Sequence, residues 1–281
     1  MSAVAVVTDS VACLPSDVAA RRGIRIVPVR VTVGDTVYRD GVDVTPEAVY
    51  AWLQRGLRPT TAQPAVGDFL AVYRELAAQG RPIVSIHVAS ALTGVYQAAA
   101  VAASRITDVP IRVIDSRAVT MAQGFLALEA ARVAERGGSL DEAEQAVRAL
   151  QPRLRFFAVL ETVTYLVRSG RAPRLATLAV DVLQVKPILT IRDGEIVVMD
   201  RVRTRRRAVE AMLHRLATDA GTRPLHIAVM HAAAAEEAER LRAEIERRFT
   251  CIEAYVTPFS PAMGLYTGPG LLGLAYYVDQ P

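Results

Sequence analysis

The sequence predicts an α/β protein of two domains, a mostly parallel sheet with flanking helices over residues 1–152 and a mixed α+β domain over 153–281. Three observations carry this. Short β-branched runs alternate with helical ones as far as about residue 150, the order that builds a parallel sheet. The alternation stops at Gln151-Pro152-Arg153. Beyond that point Asp193-Gly194 sits between two apolar runs, a hairpin signal and therefore antiparallel pairing.

In the first half, Ala3–Val7, Ile24–Val33, Pro82–Val88 and Ile111–Ile114 are continuous apolar runs, as strands buried on both faces are. Thr45-Pro46-Glu47 supplies an N-cap with proline at N1. Val49, Trp52 and Leu53 then share one helical face, and Gly56 can stop the helix. Ser139-Leu140-Asp141-Glu142 is a capping box opening a helix toward Leu150. In the second half the hairpin strands are Pro187–Ile191 and Glu195–Val202, and a helix runs from about Thr204 to Leu216. A strand at His226–His231, a helix at Glu236–Phe249 and strands at Ile252–Thr257 and Leu271–Val278 complete the pattern.

Hydrophobic content of 52% with 22% charged residues, over 281 residues, reads as a globular chain with two cores. No apolar run approaches the ~18 residues that span a bilayer, so stable membrane insertion is not expected. Met1-Ser2-Ala3-Val4-Ala5-Val6-Val7 lacks a basic n-region, runs directly into Thr8-Asp9-Ser10 and reads as a strand, not a signal peptide. Cys13 and Cys251 have neither metal nor disulfide spacing. The cytoplasm is the expected compartment, with no metal and no cofactor. The net charge is only +4 and Lys186 is the sole lysine, which gives no ground for nucleic-acid binding. The basic run Arg201–Arg207 fits a solvated helix start or an anion- or protein-docking patch.

Ligands of open parallel sheets bind beyond the carboxyl ends of the strands. Those ends carry Thr8-Asp9-Ser10, Ser90 to Thr93, and Asp115-Ser116. The densest is Ser90-Ala91-Leu92-Thr93-Gly94, where an apolar strand meets two hydroxyls, a glycine and an Ala-rich helix. Free N–H groups at a helix start attract anions and hydroxyls add donors, although plain N-capping uses the same residues. Gly264-Leu265-Tyr266-Thr267-Gly268-Pro269-Gly270 lets a backbone approach a ligand or turn tightly. His87 and His226 lie inside strand runs and read as core residues. Asp9 and Asp115 could pair as carboxylates at a separation that sequence does not give. No nucleophile elbow, zinc motif, phosphate loop or dinucleotide fingerprint is present.

Taken in order, these motifs resemble the DegV family of bacterial fatty-acid-binding proteins. The likeness runs through Thr8-Asp9-Ser10, Tyr38-Arg39-Asp40-Gly41-Val42-Asp43, Thr61-Ala62-Gln63-Pro64 and Ser90 to Gln97. It continues through Asp115-Ser116, Ser169-Gly170-Arg171, Lys186-Pro187-Ile188, Arg203-Thr204 and Gly264 to Gly270. The resemblance implies one long-chain fatty acid, its carboxylate at the domain junction and its tail in an apolar tunnel of the second domain. It further implies a non-catalytic subunit that presents the acid to a separate fatty acid kinase catalytic subunit, which makes acyl-phosphate for phospholipid synthesis. Thr61 and Thr93 take the positions of the ligand hydroxyls, with Ser90, Gly94 and Tyr266 beside them, and Arg171 and Arg203 those of the kinase-facing arginines. Leu154, Phe156, Phe157, Val159, Leu160, Leu166, Leu178, Leu183 and Ile188 are the apolar stock for a tunnel. Four positions depart from the family pattern: Ala62 for serine, Thr93 for serine, Val95 for threonine and Tyr266 for histidine, and Thr61 and Thr93 both keep a hydroxyl. Tyrosine keeps a donor but carries no positive charge near neutral pH. The competing class is a phosphotransferase on a small polar metabolite, using the strand-end hydroxyls and arginines.

Overall fold

The computed structural model describes residues 3–172, 175 and 185–280. The chain is a mixed α/β protein of two compact units, Met1–Val44 with Pro59–Pro152, and Thr45–Arg58 with Arg153–Pro281. The segment 45–58, read from sequence as part of the first domain, packs with the second.

In the first unit the elements are β1 (Ala5–Asp9), α1 (Ser16–Arg21), β2 (Ile24–Val27), β3 (Arg30–Val33) and β4 (Thr36–Arg39). After α2 (Pro46–Gln54), which belongs to the other unit, come β5 (Thr60–Ala62), α3 (Val66–Ala77), β6 (Ile83–His87) and α4 (Val95–Ala103). β7 (Ile111–Asp115), α5 (Thr120–Glu135) and α6 (Leu140–Leu150) complete it. A parallel sheet has the order β2-β1-β6-β7, and every residue of its inner strands β1 and β6 is buried. The run Ile24–Val33 is two strands, not one. Pro28 between them has no N–H to give a ladder, and β3 joins a separate antiparallel sheet of order β4-β3-β5. The capping box of α6 forms as read: Glu142 N donates to Ser139 Oγ at 3.2 Å, and Ser139 N donates to Glu142 Oε2 at 2.6 Å.

The second unit contains β8 (Arg155–Val159), α7 (Thr164–Arg168), β9 (Lys186–Arg192), β10 (Glu195–Val202), α8 (Arg205–Ala220) and β11 (Leu225–His231). α9 (Ala235–Arg248), β12 (Cys251–Pro258), α10 (Pro261–Thr267) and β13 (Leu272–Val278) follow. Its six strands take the order β10-β9-β8-β13-β11-β12, and only β11 and β12 pair in parallel, joined through α9. The β9–β10 hairpin turns at Asp193 (φ 52°) and Gly194 (φ 82°), the two positive angles that a type I′ turn needs. Phe157, Val159 and Ile188 sit in one core cluster with Met212, Leu216, Leu241 and Tyr276. They are packing residues there. Leu160 and Leu166 are buried, Leu154 and Phe156 half-buried, and Leu178 and Leu183 lie outside the described residues. Among the described residues no helix is long and apolar enough to cross a membrane.

Candidate ligand-binding site

At the parallel sheet's carboxyl edge, most of the expected hydroxyls already have partners. Thr8 Oγ1 donates to Ile86 O at 2.8 Å, Ser10 Oγ accepts from Val29 N at 3.0 Å, and Ser116 Oγ donates to Ala118 O at 3.1 Å. Ser90 donates its hydroxyl proton to Asp115 Oδ2, and its N–H reaches Asp115 Oδ1 at 3.2 Å. A carboxylate ligand needs donors, and Ser90's is spent. Asp115 also accepts from Arg117 N at 2.9 Å, so it is a loop clamp.

Asp9 lies in a buried polar network. Its Oδ1 accepts from Val11 N at 3.0 Å, and its Oδ2 from Val88 N at 3.1 Å and Gln123 Nε2 at 3.0 Å. His87 Nδ1 lies 3.0 Å from Oδ2, and His87 Nε2 lies 2.7 Å from Ser85 Oγ, which accepts from Tyr73 OH at 2.8 Å. With Nδ1 protonated, donors run without conflict from Tyr73 through Ser85 and His87 to Asp9. Burial pushes the Tyr73 phenol up, so it stays a donor. This is the serine–histidine–aspartate order of a hydrolase, yet Ser85, His87 and Asp9 are each 0% exposed. No substrate reaches that serine, and the network serves packing.

Thr61 and Thr93 are placed differently. Thr61 is half-buried in β5 opposite Val31, and Thr93 is half-buried just before α4. Among the described residues the Thr93 hydroxyl makes no hydrogen bond, and the α4 N-cap, Gly94, has no side chain to cap with. The two motifs meet through Gln63. A Cβ on Gly94 would lie 2.9 Å from Gln63 Oε1 and 3.1 Å from its Nε2. Gln63 follows β5 directly, two residues after Thr61, and its side chain packs at the start of α4. Gly94→Ala is expected to cost less than about 1 kcal/mol, because the colliding atoms are the flexible end of an exposed side chain and alanine is a weak N-cap. A thermal melt checks this; a larger loss would mean that Gln63 is pinned.

The remaining motifs lie in loops and in the second unit. Arg39 grips Asp43 with Nε–Oδ2 2.8 Å and Nη2–Oδ1 2.9 Å, and the hydrogen-bonded guanidinium holds that carboxyl down at about 2. Lys186 Nζ donates to Glu161 Oε2 at 2.6 Å, and Arg205 joins Glu161 to Glu237. The glycines of 264–270 make room for side chains of their own unit. A Cβ on Gly264 would strike the Tyr50 ring of α2 at 2.8 Å, which is why 45–58 packs here. A Cβ on Gly268 (φ 68°) would lie 2.4 Å from the Tyr165 ring. Tyr266, half-buried on α10, lies under Arg171, whose Cζ is 4.9 Å from the ring centroid. Arg203 is exposed just ahead of Thr204, which caps α8 by accepting from Arg207 N at 3.2 Å.

One feature carried little signal in the sequence. At the carboxyl ends of the parallel pair β11 and β12, a cleft of about 540 Å³ is bordered by Glu47, Tyr50, His231, Glu236, Arg240 and Pro258. Burial holds the His231 imidazole below its ordinary value. Only a strand-end histidine marked it. Among the described residues no cluster of histidine, cysteine and carboxylates is arranged to hold a metal ion.

A unit built on a four-stranded parallel sheet, followed by a mixed six-stranded unit, defines a two-unit α/β protein. The chain belongs to the DegV family: the family model described as "Uncharacterised protein, DegV family" matches residues 3–279. It is 38% identical over 274 residues to a DegV domain-containing protein of Streptomyces coelicolor, covering 96% of this chain and 97% of that one. Its fold is similar to that of a DegV family protein from Thermus thermophilus described for its fatty acid binding, with TM-score 0.93, 28% identity and coverage of 99% and 100%. It is similar too to DegV of Bacillus subtilis, described as a fatty acid binding protein, with TM-score 0.90, 28% identity and the same coverage.

Proposed function

We propose that this chain binds one long-chain fatty acid, its carboxylate held by the hydroxyls of Thr61 and Thr93 beside Gly94, and its tail in an apolar tunnel of the second unit. It then presents the acid to a separate kinase for acyl-phosphate formation. The observation that supports the reading is the Gln63 side chain lying against Gly94, so the segment after Thr61 and the segment after Thr93 are neighbours. Support comes from the fatty-acid-binding relatives of the same fold. Energetics agree: a buried methylene is worth about 0.8 kcal/mol, so a long acyl chain supplies the affinity, and a few donors fix its charged end. The test is titration of delipidated protein with oleate, which saturates at one per chain on this reading and shows no binding if it is wrong.

The kinase step rests on Arg171 and Arg203, whose guanidinium groups are exposed and suited to oxyanions. Alanine at either position is expected to leave oleate affinity within about twofold while lowering acyl-phosphate formation, since an exposed charge adds little to binding. Equal loss of both would place the arginines in the lipid site.

A further inference from the structure

Arg171 and Tyr266 are far apart in sequence, yet the structure stacks one on the other, and the stack is tied at both ends. On the arginine side, Ser169 Oγ donates to Leu166 O at 2.6 Å and accepts from Arg171 N at 3.2 Å, which fixes the turn after α7. Arg171 Nη1 then donates to Ser169 O at 2.7 Å. On the tyrosine side, α10 is held by Tyr50 against Gly264 and by Tyr165 of α7 against Gly268. The guanidinium therefore lies between a carbonyl and a ring face, with Cζ 4.9 Å from the centroid, inside cation–π range. Among the described residues its Nε and Nη2 make no hydrogen bond, although the side chain is exposed.

We infer that Tyr266 is a positioning residue: its ring seats the Arg171 guanidinium so that the Nε and Nη2 edge is held ready for a phosphoryl oxyanion. The inference rests on the fatty-acid reading for its ligand, the phosphoryl group transferred to the bound acid. A planar fork already oriented loses less freedom when it binds two oxygens. Tyrosine at this position thus works through its ring face and not through its hydroxyl.

The test follows the side-chain Nε–Hε resonance of Arg171 by NMR during titration with inorganic phosphate, in the intact chain. The unaltered protein should show a ring-shifted resonance that moves saturably. Tyr266→Phe should keep both the shift and the phosphate affinity. Tyr266→Leu and Tyr266→Met should lose the ring shift and bind phosphate about two- to fivefold more weakly, the size of an exposed cation–π contact. A phenylalanine variant as weak as leucine would overturn the inference by assigning the effect to the hydroxyl, and so would undiminished phosphate binding in both aliphatic variants. Failure of the unaltered protein to bind oleate would overturn the fatty-acid reading and its ligand, while the ring seat is judged by the Arg171 resonance alone.

Discussion

Replacing Thr61 and Thr93 together by valine is expected to weaken oleate binding at least about a hundredfold, because each lost hydrogen bond to a charged group costs roughly 1.5–3 kcal/mol. Valine keeps the branched shape at Cβ, so strand β5 and the approach to α4 are retained and the melting temperature should change little. Each single variant should lose about tenfold on the same scale. Isothermal titration of the delipidated variants reads both numbers. Affinity equal to that of the unaltered protein in the double variant would mean that the two hydroxyls are local caps.

Asp9→Ala should produce the largest loss of stability at any single polar position. The carboxylate is 0% exposed and accepts from two backbone N–H groups and Gln123, with His87 as its fourth partner. Removing it leaves the two N–H groups and His87 without their acceptor in the interior, while Gln123 Nε2 keeps Thr8 Oγ1 at 3.0 Å; breaking a buried pair costs about 3–5 kcal/mol. That is a large share of the roughly 5–15 kcal/mol that holds a domain together. Urea denaturation measures the drop, and a loss under about 1 kcal/mol would show that the network relaxes around the gap.

Strands β1 and β6 were legible because both faces are buried, so nothing interrupts their apolar runs. β4 and β5 were not: β4 is largely exposed and carries Val37 at 53% exposure, and β5 has three residues. Pro28 signalled the split between β2 and β3, but β-branched residues on both sides masked it. The allegiance of α2 depends on Tyr50 filling the space beside Gly264, a contact that no local pattern reveals. At the site, the sequence located the hydroxyl-bearing strand ends but not how each proton is used. Ser90 and Thr93 look alike in sequence; only the structure shows Asp115 accepting the Ser90 hydroxyl's hydrogen bond. The glycines of 264–270 were legible as a close approach. What approaches is Tyr50, Tyr165 and Glu161 of the same unit.

Native mass spectrometry of the protein purified from bacteria tests the central claim most directly. The account predicts one added mass per chain in the range of a long-chain fatty acid, displaced by excess oleate and greatly reduced in the Thr61→Val, Thr93→Val variant. A chain that carries no acyl species and takes up neither oleate nor palmitate would contradict it.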